Sequence, residues 1–173
     1  MELSLYLVTR EGVYNKVQMS SFSHKHAVQN IIQTLIDLPE FLRKPILEGR
    51  LREFYLLDEQ DKHQVISDIL DTIPLFEEGK ISALVKTWLA VLSNFDAARI
   101  VEILRLYCQE IRNSPGIIQK MPVEEITEIF CSLNYTQKQK LADCLKEAIL
   151  SFPDKYKIIT LIPESGLKAL GMK

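Results

Sequence analysis

The sequence predicts a mainly α-helical fold, a compact multi-helix domain of helical-repeat-like character with a short N-terminal β-hairpin. Three observations predict it. Apolar residues recur in steps of three and four from residue 23 onward, Asp, Asn, Ser and Pro punctuate those stripes where helices start and stop, and only residues 3–19 alternate with a period of two. The whole chain, 1–173, reads as a single domain, with the hairpin at 3–19 and a helical body at 23–170.

In the hairpin, Leu3, Leu5 and Leu7 alternate with Ser4, Tyr6 and Val8, the chain turns near Gly12, and Val13, Val17 and Met19 resume the period. A lone hairpin is marginal in water, so it must pack on the helical body or pair through its edge, which makes it a candidate dimerisation element. Ser23 caps a helix through Leu35, and a second helical stretch, interrupted by Pro45 and Gly49, runs toward Phe54. Asp58 opens a helix whose Val65, Ile66, Ile69, Leu70 and Ile73 share a face until Pro74 stops it. Ile81, Leu84, Val85, Trp88, Leu89 and Leu92 form the strongest stripe, which belongs at the centre of the fold.

Asn94 or Asp96 caps the next helix, carrying Ile100, Ile103, Leu104, Tyr107 and Ile111 until Asn113-Ser114-Pro115-Gly116. Pro122 starts a short helix with Val123, Ile126, Phe130 and Leu133. Thr136 caps a longer one with Leu141, Leu145, Ala148 and Ile149, and a weak helix follows from Tyr156 to Leu161. The count is about seven helices on short connections. Leu167, Leu170 and Met172 form an apolar tail that docks on its own chain in preference to a partner.

Superposing Phe54 on Phe130 places Leu57 on Leu133, Asp58 on Asn134, Val65 on Leu141, Ile69 on Leu145 and Phe76 on Phe152. This suggests an internal repeat of 54–92 in 130–170, although two capped amphipathic helices share much of that agreement through period alone. A further start at Phe95 would give the step of helical-repeat proteins, which present long surfaces to partners.

With 47% hydrophobic residues, 25% charged residues and a net charge of −2, the chain is neither disordered nor a basic nucleic-acid binder. Met1-Glu2-Leu3-Ser4 lacks the cationic start of a signal peptide, and no apolar run approaches the roughly 18 residues of a membrane span. The expected compartment is the cytoplasm, with Cys108, Cys131 and Cys144 as free thiols. The partner expected is another protein, or a second copy, with no nucleic acid and no membrane.

Catalytic signatures are sparse. No GxG, HExxH, DxD or GxSxG is present, so no catalytic residue and no cofactor is assigned. His24 and His26 are two imidazoles without a third ligand, and His63 reads as a surface histidine, so no metal is expected. Cys144 belongs to an apolar stripe, and Cys131 has no histidine near it in sequence. Acidic residues at 58–61, 77–78 and 124–128 sit at helix starts, where they offset the dipole. The run Arg43, Lys44, Arg50 and Arg52 reads as a solvated face, or as a contact for an acidic partner.

The leading expectation is therefore a non-enzymatic helical module that binds protein through a helical groove or its hairpin. The alternative is a helical bundle that holds a small ligand between helices near Trp88, Tyr107 and Cys108. Transcriptional regulation lacks a recognition helix.

Overall fold

A computed structural model describes residues 21–77 and 79–172, with side chains from His26 onward. The expected hairpin at 3–19 lies outside the described residues. The described chain is mainly helical: α1 (Ser21–Asp37), α2 (Glu40–Phe54), α3 (Glu59–Thr72), α4 (Ser82–Leu92), α5 (Ala97–Asn113), α6 (Val123–Cys131), α7 (Tyr135–Leu150), α8 (Lys155–Ile159) and α9 (Glu164–Ala169). Two 3-10 turns, Ile73–Leu75 and Pro115–Lys120, begin with or contain the prolines that end α3 and α5.

Three helix starts are made alike. Asp58, Asp96 and Asn134 are extended N-cap residues whose side chains accept from the backbone N–H of Asp61, Arg99 and Gln137, each satisfying a helix-start donor that would otherwise lack a partner. They stand 38 residues apart. The cap of α7 is thus Asn134, where sequence reading placed Thr136: Asn is the stronger cap, and the apolar Leu133 before it is buried.

The helices pack in two rows. In one, α1 lies on α3, α3 on α5 and α5 on α7; in the other, α2 lies on α4, α4 on α6 and α6 on α9, while α8 closes on α5 and α7. The rows face each other across a shared core from Leu35 to Ala148, in which Ile66, Leu92 and Ile100 are almost completely buried. A smaller cluster joins Cys108, Ile149, Phe152 and Ile158 beneath α8.

Several boundaries differ from expectation. α2 runs unbroken through Pro45 and Gly49. Proline cannot donate to the carbonyl four residues back, but Phe41 and Pro45 are both exposed, so water can satisfy that group. The tail does not end in loose residues: Glu164–Ala169 form α9, packed on α6 with Leu170 buried. Gly166 lets α9 fold against the turn before it, since a Cβ there would lie 2.9 Å from Ile162 Cγ2. At the start of α4, Gly79 takes φ +84°, a left-handed turn suited to glycine, and its N–H donates to Glu125 of α6.

The basic run is also revised. Arg43 is 5% exposed, not solvated. Its Nε donates to the carbonyl of Leu35 at 2.7 Å and its Nη2 to those of Ile36 and Leu38 at 3.3 and 2.5 Å, while Nη1 reaches Thr87 Oγ1 at 3.2 Å. A cation held by the last carbonyls of a helix satisfies groups that have no intrahelical partner and offsets the dipole, so Arg43 ties α1 to α2 and α4. Arg50 and Arg52 pair with Glu53 and Glu48, and the Arg52 guanidinium also lies 5.7 Å from the Phe95 ring centre.

Candidate functional site

Between the two rows runs an apolar channel of about 570 Å³. Its walls come from α1 (Ala27, Val28, Ile31), α3 (Val65, Ile69), α4 (Leu84, Val85, Trp88), α5 (Ile103, Tyr107, Ile111), α6 (Ile126, Phe130) and the end formed by Gly166, Ala169 and Leu170. The stripes of α3, α4, α5 and α6 have the helical period that sequence reading recovers, and here they converge around the channel. Exposed Ile31, Arg50, Glu53, Asp61 and Gln64 mark the mouth, between α1, α3 and the end of α2. At the rim Arg50 meets Glu53 at 2.8 Å and the Gln64 amide donates to Asp68 at 2.9 Å, while Asp61 adds a further carboxylate.

The wall has a small polar inventory. Trp88 and Tyr107 meet edge to face, with ring centres 5.7 Å apart and planes at 71°. Burial raises the pKa of the Tyr107 hydroxyl above its ordinary value, so it stays protonated. Thr127 directs its hydroxyl to the carbonyl of Val123. Such a surface suits aliphatic groups and offers no positive charge at its depth.

An empty volume of this size is expensive. At about 24 cal/mol per Å³ a closed void of 570 Å³ would cost on the order of 10 kcal/mol, comparable to the entire stability of a domain, about 5–15 kcal/mol. The mouth admits water, but aliphatic walls give it no hydrogen-bond partners. The channel therefore favours an apolar occupant.

Sequence reading placed a ligand pocket near Trp88, Tyr107 and Cys108. The structure brings Trp88 and Tyr107 together in the channel wall and turns Cys108 away, into the cluster with Ile149, Phe152 and Ile158. Neighbours on a helix point about 100° apart, and here that turn takes Cys108 toward α7 and α8 while Tyr107 faces the channel. Burial raises the Cys108 thiol to about 12, and burial also raises Cys144, which disfavours the nucleophilic thiolate in both. Cys131 is exposed at the end of α6.

Among the histidines, His26 is exposed, and His63 is half-buried with Nδ1 2.7 Å from Glu110 Oε1, joining α3 to α5. Among the described residues no three His, Cys, Asp or Glu side chains gather as metal ligands, and no helix is long and apolar enough to cross a membrane. The acidic groups at helix starts do more than offset dipoles. Glu124 accepts from Ser165 of α9, Glu125 from Ser82 and Gly79 at the start of α4, and Glu59 and Glu102 share the buried Lys62.

A second, polar recess at the start of α7 is lined by Ser93, Asn94, Asn134, Tyr135, Thr136, Gln137 and Lys140. Lys140 donates to the carbonyls of Ser93 and Phe95 at 2.8 and 2.5 Å, so its ammonium is used to join α7 to the α4–α5 turn. Sequence reading missed the carbonyl-bound Arg43 and Lys140 because their partners are backbone groups brought near by folding, which leave no side-chain pattern. Against protein-family models, curated proteins and solved structures, the chain has no match.

Proposed function

We propose that this chain is a non-enzymatic, cytoplasmic binding module, built as successive helix pairs on a 38-residue step, that receives the apolar side chains of an amphipathic protein segment in its channel. The observation that carries the reading is the channel itself. Its volume matches a handful of Leu, Ile or Phe side chains, its walls are apolar, and its rim carries the carboxylates of Asp61 and Asp68 beside the Arg50–Glu53 pair, so an intermittently apolar chain without negative charge fits better than an anionic head group. The spacing of Asp58, Asp96 and Asn134 supports the repeated helix pair, because one capping device recurs at one interval.

The test uses Trp88, the only tryptophan, as an energy donor in the channel wall. A dansyl-labelled, net-neutral peptide with leucine at positions i, i+3, i+4 and i+7 should give saturable energy transfer. A scrambled peptide should not, and Val85→Phe, which narrows the channel, should weaken binding at least tenfold. Equal binding of both peptides, or none at all, contradicts the reading.

A second reading, a small apolar ligand, is favoured by the Trp88–Tyr107 pair, since aromatic walls commonly line ligand pockets. Native mass spectrometry separates the two: a stoichiometric small mass retained by the purified chain supports the ligand, and a bare chain that binds the peptide supports the protein segment. A dimer in the same spectrum would identify a second copy as a partner.

A further inference from the structure

We infer that a second copy of this chain docks on the outer face of α2, with the two α2 helices antiparallel and a stripe of alternating charges setting their register. α2 is the first helix of its row and packs on α4, turning Arg43, Leu47, Leu51 and Phe54 inward. Its opposite side is apolar and uncovered among the described residues. Phe41 is 75% exposed, Leu42 and Ile46 are 42% exposed, and Pro45 is exposed between them. With Gly49 these residues recur at the spacing that places them on one helix face. At Gly49 no atom lies within 4 Å of the place a Cβ would take, so another helix can approach closely there. Single exposed apolar side chains are ordinary, whereas an adjoining set of them marks an interaction surface.

The charges beside that face identify the occupant. Glu40, Lys44, Glu48 and Arg52 follow one another at four-residue steps along one flank of it, in alternating sign. Such a stripe is its own complement. A half-turn about an axis through Ile46 sets Glu40 of each copy against Arg52 of the other and Lys44 against Glu48, so every attraction is made twice, with Ile46 on Ile46 at the centre and Leu42 over Gly49 on either side. Within one chain Arg52 meets Glu48 at 2.7 Å, an exposed pair that contributes little alone and exchanges partners readily. One helix face is small beside a standard interface of about 1,600 Å², so the dimer forms and dissociates with protein concentration.

Sedimentation velocity of the full chain over a range of concentrations tests this. We expect a reversible monomer–dimer equilibrium, weakened at least tenfold in F41D/I46D. K44E/R52E makes the stripe wholly acidic and E40K/E48K makes it wholly basic. Each of these alone should stay monomeric with its helical circular dichroism retained, and an equimolar mixture of the two should recover the dimer. An unsubstituted chain that is monomeric at every concentration, with another protein on that face or none, overturns the inference. So does a mixture that stays monomeric, or a dimer left intact by both F41D/I46D and K44E/R52E, which would place the contact elsewhere. If F41D/I46D unfolds, the charge variants decide, since none of their four side chains is buried.

Discussion

The two ends of the molecule solve the same packing problem differently. Around α5, α7 and α8, small side chains bring the helices together: Ala142, Cys144 and Ala148 are at most 5% exposed, and Ile100 and Ile149 have no exposed surface. Around α1, α3 and α4, stripes of equal periodicity leave Val28, Val65, Ile69, Leu84, Val85 and Trp88 half-buried along the channel. An amphipathic stripe states that a surface must be covered. It does not state whether a neighbouring helix or a separate chain covers it.

That contrast can be broken most directly by cavity formation. Ile149→Ala should cost about 4 kcal/mol, because the filled end cannot collapse, and Ile69→Ala in the channel wall about 1–2 kcal/mol, chiefly the transfer of the lost methyl groups. Urea unfolding checks both, and equal losses would remove the distinction. Arg43→Leu should cost about 3 kcal/mol by leaving the carbonyls of Leu35, Ile36 and Leu38 without a donor. Arg43→Lys should recover little, since an ammonium cannot span three carbonyls and Thr87.

A pH titration sharpens the comparison at the filled end. The Cys108 thiol is raised from 9.0 to about 12 in the folded chain, so its contribution is complete below pH 9 and is lost as pH rises toward 12, where the unfolded chain gives up the proton first. Stability should fall by up to about 1.4 kcal/mol per pH unit from this group, and Cys108→Val should flatten that slope by one proton. Lys62, raised by its hydrogen bond to Glu102 despite desolvation, adds an alkaline loss at higher pH in the same direction.

Asp58→Ala, Asp96→Ala and Asn134→Ala should each cost about 1 kcal/mol, and near-equal values along the chain would support a shared structural unit. The smallest effect is a gain: Val85→Leu, reaching into unfilled space, should stabilise the free protein by about 0.5–1 kcal/mol by thermal unfolding.

Much of this fold is legible in sequence because its punctuation is local. Asp58, Pro74, Asp96 and Pro122 set helix ends by their own backbone chemistry, and α3, α5 and α6 fall where those residues place them. Pro45 misleads because only the exposure of that side of α2 makes the missing hydrogen bond tolerable. The α9 helix is hidden because Pro163 and Gly166 read as breakers, whereas Pro163 precedes the first turn and Gly166 leaves room for Ile162 of the preceding turn. Trp88 and Tyr107 are legible as neighbours from their stripes. The channel beside them is not, since the distance between rows depends on side-chain sizes across several helices at once.

Hydrogen–deuterium exchange of the full chain, with and without the amphipathic peptide, tests the central claim most directly. Peptide binding in the channel predicts that the peptide protects the wall helices α1, α3, α4 and α5 while leaving α8, which lines no part of it, unchanged. Uniform protection from α1 to α7, unaffected by the peptide, would contradict it.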